Sequence, residues 1–255
     1  MNTLRKQSIN DLLKGIETGD PESVRVVDQE QYIQHNPLTK EGDVGLAELF
    51  ARLAKTNPRV EIIRIFSDGD FVFAHTEYDF SSEKICFEVF RFEGERTVEH
   101  WDNLQLKQAP NASGHSMIDG ETQVKDQDQA ESNRQCINAF VKDVLIERNT
   151  NALPDYVAAA GYVEHNPALT DDIKALNTAL LDTEADGSPR IHYQQHHRTL
   201  ADGNFVLSVC EGYREGIHSA FYDLFRLDNG LIIEHWDTVE TVPPRADWNN
   251  LNGKF

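Results

Sequence analysis

Phe90-Arg-Phe-Glu93, followed by Val98-Glu-His-Trp-Asp102, decides how this chain is organised, because it occurs twice. It returns as Phe225-Arg-Leu-Asp228 followed by Ile233-Glu-His-Trp-Asp237, a shift of 135 residues. Two further blocks keep the same order. Tyr32-Ile-Gln-His-Asn-Pro37 returns as Tyr162-Val-Glu-His-Asn-Pro167, a shift of 130, and Asp68-Gly-Asp-Phe-Val72 returns as Asp202-Gly-Asn-Phe-Val206, a shift of 134. Three blocks in one order at nearly one spacing mark a tandem repeat. The 255 residues are then two domains, each long enough to bury a core of its own.

The expected boundaries are residues 1–108 and 132–243 for the domains, with a linker at 109–131 and a C-terminal tail at 244–255. The linker is poor in large apolar groups and rich in turn formers, and His115 and Met117 fall in it. Within each half, helices come first. Leu4, Ile9, Leu12, Leu13 and Ile16 form one helical stripe, Asp20 is placed to cap a helix begun by Pro21, and Leu46, Leu49, Phe50 and Leu53 mark another helix. The period then changes to that of strands at 60–66, 71–80, 84–92 and 97–106. The second half repeats this, with helices near 131–148, 151–160 and 170–182 and strands near 190–200, 204–214, 217–227 and 231–241. The fold class expected is α+β: two tandem cone-shaped domains, each a curved, largely antiparallel sheet wrapped around N-terminal helices, with a pocket between sheet and helices.

Charge narrows the function classes. Asp and Glu number 43 against 24 Lys and Arg, a net charge of −19, so the field of the whole molecule repels phosphate backbones and anionic lipid. Nucleic acid and membrane are therefore not expected as partners. No run approaches the roughly 20 apolar residues of a membrane helix. The opening MNTLRKQSINDLLKG has no apolar core of a secretory signal, so a cytoplasmic protein is expected. Cys86, Cys136 and Cys210 are odd in number and far apart, which reads as three reduced thiols.

The chain has no phosphate-binding glycine loop, no HExxH, no GxSxG and no cysteine–histidine ligand spacing. His192 and His196 share a strand face about 13 Å apart, too far to hold one ion. No cofactor and no metal are expected, which leaves acid–base chemistry by side chains alone, or no chemistry.

Alternation on the strand at 98–103 puts Val98, His100 and Asp102 on one face and Glu99, Trp101 and Asn103 on the other. A histidine and a carboxylate two apart can tune each other, so His100 with Asp102, and His235 with Asp237, are candidate acid–base pairs if that face lines the pocket. The neighbouring strand adds Glu88 and Asp223. His35-Asn36-Pro37 and His165-Asn166-Pro167 are read as fixed corners at a helix end, because proline excludes the preceding residue from the helical region. Tyr32 and Tyr162 lie one turn earlier. With His196, Trp101 and Trp236, these corner residues are the candidate substrate contacts. Gln194 and His196 stand where the first half has Val60 and Ile62, so the second pocket is expected to be the wetter. The opposing reading is that this face meets solvent and that Phe66, Phe71, Phe73, Phe87 and Phe90 fill the first cavity.

YxxHNP, DG(D/N)FV, the FR strand and EHWD together resemble the SnoaL-like polyketide cyclases of the nuclear transport factor 2-like superfamily, and the resemblance covers both halves. It implies the cone-shaped fold, and an intrachain pseudo-dimer with further homo-oligomerisation open. It also implies a small-molecule ligand and a cofactor-free lyase or isomerase acting α to a carbonyl, of the aldol or cyclase type. By the same resemblance the acid–base role falls to Asp102 and Asp237, or to Glu88 and Asp223, and the oxyanion role to His100 and His235 with Asn36 and Asn166. The alternative is a binding or scaffold protein that catalyses nothing.

Overall fold

In a computed structural model of the chain, residues 2–255 are described, Asp43 by its backbone alone. The chain forms two compact units, one running through Lys107 and including Val242–Phe255, the other Gln108–Thr241. The segment read as a linker thus lies within the second unit, and the segment read as a tail lies within the first.

In the first unit the apolar stripe of α1 (Asn2–Thr18) buries Ile9, Leu12 and Leu13. A 3-10 turn at Pro21–Val26 follows, its first N–H groups capped by Asp20, which accepts from the Glu22 amide at 2.9 Å. β1 (Ile33–Gln34) precedes α2 (Gly42–Leu53), and β2 (Arg59–Asp68), β3 (Phe71–Asp79), β4 (Glu83–Glu93) and β5 (Arg96–Leu106) form the meander. The sheet order is β1-β5-β4-β3-β2, antiparallel except for β1, which lies parallel to β5. Ile9, Leu12, Leu13, Tyr32, Val60, Val72, Phe90 and Phe92 are buried together between helix and sheet.

The second unit repeats the plan with β6 (Val163–Glu164), β7 (Ile191–Asp202), β8 (Phe205–Arg214), β9 (Ile217–Asp228) and β10 (Leu231–Thr241), ordered β6-β10-β9-β8-β7. Its helical layer is α3 (Ala130–Phe140), which passes into a π-helical turn at Val141–Ile146, then α4 (Leu153–Tyr156) and α5 (Ile173–Leu181). The wider π turn brings residues five apart onto one side. Phe140 and Leu145 both face the interior as a result.

Each half is thus the helix-backed, curved sheet expected, with a fifth, two-residue edge strand added to the four read from the sequence. The corners differ from expectation. Tyr32–Pro37 and Tyr162–Pro167 run through the short edge strands β1 and β6 rather than ending helices. Their polar backbone is held by the neighbouring strand, with His35 N donating to His100 O and His165 N to His235 O, both at 2.9 Å.

Register positions the site. Glu88 lies opposite Asp102 and Phe90 opposite His100, as Asp223 lies opposite Asp237 and Phe225 opposite His235. The pairing of β9 with β10 shifts between Ile232 and Glu234, a bulge that changes which face each later residue takes. Ile232 therefore points into the core along with His235. The corresponding shift between Arg91 and Phe92 takes Val98 out of the alternation read for 98–103. Among the described residues no helix is long and apolar enough to cross a membrane. Cys86 and Cys210 are buried, Cys136 is half-buried, and none of the three forms a disulfide.

Candidate active site

A cavity of about 50 Å³ in the second unit is walled by Phe140, Leu145, Val157, Leu176, Leu180, Ile191, Phe225 and Ile232. It has room for more than one water molecule. Its polar lining is confined to Tyr162, Asn166, Tyr193, Asp223, His235 and Asp237.

These polar groups form a chain. His235 lies between two carboxylates, with Nδ1 3.0 Å from Glu164 Oε1 and Nε2 3.1 Å from Asp223 Oδ1. Tyr162 donates to Glu164 Oε2 at 2.6 Å, and Tyr193 donates to Asp223 Oδ1 at 3.1 Å. Burial alone would strip His235 of its proton, but the Glu164 charge and the hydrogen bonds to both acids hold its pKa well above the usual value. It stands as an imidazolium. Glu164 answers in kind: burial works against its charge, and the His235 charge and its hydrogen bonds outweigh that and lower its pKa.

Asp237 is different. Asn166 Nδ2 donates to its Oδ2 at 2.7 Å, while Oδ1 is buried without a hydrogen-bond partner. Burial, reinforced by the charges of Asp223 and Glu164, raises its pKa to about 7 against the pull of His235. A carboxyl group that changes charge near neutrality and has an unpaired oxygen in an apolar cavity is suited to taking up and releasing a proton.

The first unit starts from the same parts. His100 Nε2 lies 2.5 Å from Glu88 Oε2, Tyr78 donates to Glu88 Oε1 at 2.7 Å, and Asn36 Nδ2 donates to Asp102 Oδ2 at 2.7 Å. At the place of Glu164 stands Gln34, whose Oε1 lies 3.0 Å from His100 Nδ1. Lys254 is buried at Asp102, its Nζ donating to Asp102 O at 2.8 Å and lying 3.2 Å from Oδ1. The segment that carries it is fixed by Asn250 Nδ2 to Asn36 O (2.8 Å) and Asn252 Nδ2 to Gln34 O (3.1 Å). Burial would raise the Asp102 pKa; the Lys254 charge, with His100, lowers it below the usual value.

His100, Asp102 and Glu88, and His235, Asp237 and Asp223, are therefore gathered inside their units, with Asn36 and Asn166 bonded to the acids. Tyr32 stacks beside His100 at 6.4 Å, and Tyr162 lines the cavity. Three readings change. His35 and His165 stack on Trp101 and Trp236 at 4.5 and 4.6 Å, and His165 and Trp236 are not among the cavity lining, because Trp236 alternates with His235 and Asp237. Their ring nitrogens face Glu99 (2.9 Å) and Glu234 (3.0 Å), which also bind Arg91 and Arg226.

His196 is bonded at 3.1 Å to its own strand at Arg198 O. Irregularities on both sides of it in β7 turn Tyr193 inward instead and leave Gln194 exposed. What β7 contributes to the polar lining of the second pocket is Tyr193, not Gln194 and His196. Of the five phenylalanines that the opposing reading put into the first cavity, Phe90 joins the helix-backed core cluster and the other four do not. Glu164, Tyr193 and Lys254 were missed. For Glu164 the signal was the third letter of the repeated corner, glutamine in one copy and glutamate in the other.

No family model matches the chain, and no curated protein matches it. Several solved structures are similar. TsrD from Streptomyces laurentii is 18% identical over 41% of this chain and 90% of its own, with a TM-score of 0.37. IdmH from Streptomyces antibioticus, a putative polyketide cyclase, is 16% identical over 40% and 91%, with a TM-score of 0.36. An NTF-2 like protein from Burkholderia xenovorans is 15% identical over 44% and 90%, with a TM-score of 0.37. The class defined by each half of the chain is the cone-shaped α+β fold; at these identities the likenesses carry nothing about activity.

Proposed function

We propose that the second unit is an acid–base catalyst that removes a proton from the carbon next to a carbonyl group of a small, largely apolar substrate. The observation that carries this reading is Asp237: buried in an apolar cavity, with one oxygen unpaired and a pKa raised to about 7. Asp237 as carboxylate accepts the proton on Oδ1, and Asn166 keeps the other oxygen fixed. The developing enolate oxygen is met by the second N–H of the Asn166 amide at the cavity wall, while Tyr193 spends its single hydroxyl hydrogen on Asp223. Both nitrogens of His235 are committed to carboxylates, so its role is to balance charge and hold Glu164 and Asp223 in place. In this reading every proton donor and acceptor is a side chain, and no cofactor is required. Return of the proton to a different carbon gives an isomerase; attack of the enolate on a second carbonyl in the same molecule gives an aldol-type cyclisation.

The first unit is read as a non-catalytic partner, because Lys254 supports the charge of Asp102. Deuterium exchange into the α-position of small ketones and β-dicarbonyl compounds, followed by NMR, tests the proposal. Exchange accelerated by the protein and slowed at least ~10²-fold in Asp237→Asn is the expected result. Exchange that Asp237→Asn leaves unchanged overturns it.

A further inference from the structure

The face of β10 that carries Trp236 holds a second cluster, distinct from the cavity. His165 Nε2 lies 3.0 Å from Glu234 Oε1, which fixes that nitrogen as the N–H donor and turns Nδ1 the other way. His115 is arranged alike, with Nε2 3.2 Å from Asp171 Oδ2 and Nδ1 directed to Asp119, 3.8 Å from its Oδ2. Two histidines thus each rest one nitrogen on a carboxylate and offer the other to the same aspartate. His165 Nδ1 meets two acceptors at once, Asp119 Oδ1 at 2.7 Å and Ser116 O at 2.8 Å. Two oxygens converging on one ring nitrogen need positive charge among them.

We infer that His115, Asp119 and His165 bind a divalent transition-metal ion of the zinc class, with the Ser116 carbonyl completing the set. The donor atoms of the three side chains already lie within 4.8 Å of one another. Mixed nitrogen and oxygen donors suit zinc, and three side chains with a carbonyl close a four-coordinate site. The remaining nitrogens, held by Glu234 and Asp171, are the carboxylate–histidine supports that metal sites use to orient their ligands.

The local backbone is built to this arrangement. Gly120 has φ +92, and a Cβ there would stand 2.1 Å from Glu234 Oε1 and 3.0 Å from His165 Nε2, so only glycine lets the segment close over the histidine. Trp236 Nε1 donates to Asp119 O at 2.9 Å and fixes the aspartate from below. In the first unit His35 has Glu99 on Nε2 and Gly253 O, at 3.1 Å, on Nδ1. A three-donor group at Glu88, His100 and Asp102 already holds the Lys254 ammonium. The ion's effect is to pin the segment around residues 115–120 onto the corner that precedes Asn166.

The test is titration of the chelator-treated full chain with Zn²⁺ by calorimetry and with Co²⁺ by visible absorption. One ion per chain with micromolar or tighter affinity is expected, together with a tetrahedral Co²⁺ band. Zn²⁺ is expected to raise the melting temperature by about 5 °C. His115→Ala and Asp119→Asn alter partly exposed side chains, so both variants are expected to keep the wild-type circular dichroism. Each weakens binding at least ~10-fold and abolishes the band and the thermal shift. Absence of saturable binding overturns the proposal and leaves the His165–Asp119 contact as a side-chain pair without an ion. Binding that both variants retain also overturns it, by placing the ion on other histidines such as His192, His197 and His218.

Discussion

Asp102 and Asp237 occupy the same place in two copies of one motif, each opposite an acid on the adjacent strand and each bonded by the asparagine of an HNP corner at 2.7 Å. Their acidities are driven apart. Lys254 meets Asp102 and its pKa falls; Asp237 has one oxygen without a partner and its pKa rises to about 7. An inherited motif places a carboxyl group, but the chemistry of that group is decided by what reaches its second oxygen. In the first unit a lysine from the far end of the chain does so, and in the second the oxygen faces the cavity.

The sharpest way to break this contrast is to neutralise each acid in turn. Asp237→Asn is expected to slow α-proton exchange at least ~10²-fold, whereas Asp102→Asn leaves it within about twofold, measured with both variants folded by circular dichroism. Equal losses in the two variants would mean that the Lys254 pairing does not silence the first site.

The next effect is on stability. Removing one member of a buried ion pair leaves an uncompensated charge, at a scale of about 3–5 kcal/mol. Lys254→Met is therefore expected to lower the urea midpoint of the first unit strongly, and Lys254→Met combined with Asp102→Asn to recover part of the loss. The low pKa of Asp102 means that its stabilising contribution is present above pH about 4 and fades as pH falls through the lowered value. Lys254→Met is expected to remove that acid dependence. An unchanged midpoint would show that the ammonium is not what holds Asp102 charged.

Much of this was legible in the sequence. The repeat, the order of helices and strands, and the sharing of one strand face by His100 with Asp102 and by His235 with Asp237 follow from spacing, because alternation along a strand is a local property; which way that face turns does not follow from it. What was not legible depended on contacts far apart in sequence or on breaks in alternation. Lys254 lies 152 residues from Asp102, and nothing in the tail's composition points to it. Tyr193 faces inward because β7 is irregular near it, and a bulge leaves no mark in a hydropathy pattern. His35 and His165, read as helix-end residues facing the pocket, directly follow the edge strands β1 and β6 and stack on Trp101 and Trp236 of the sheet's other face.

A smaller effect is the pH dependence. If Asp237 is the base, the exchange rate is expected to rise about tenfold per unit below pH 7 and level off above it. The raised pKa also means that Asp237 favours folding below pH about 4 and progressively less as pH rises through 7. Asp237→Asn should flatten that decline in the second unit's stability. A rate that levels off near pH 4 would place the proton acceptor elsewhere.

The smallest effect probes one difference between the two histidine networks, Gln34 against Glu164. Glu164→Gln gives the second unit the partner that the first already has. In the first unit His100 keeps a raised pKa with that amide beside it, because the charge of Glu88 and its hydrogen bond overcome burial. His235 retains Asp223 at 3.1 Å in the variant, so it should also keep its proton. The charge of Glu164 is one of the influences raising Asp237, and its loss should lower that pKa while the imidazolium still draws it down. The pH midpoint of the exchange rate is then expected to move below 7 by less than ~1 unit, with the plateau rate within about threefold of wild type. A midpoint that moves upward would mean that His235 had lost its proton, and that the amide suffices only where the histidine sits as close to its other acid as His100 does to Glu88, at 2.5 Å.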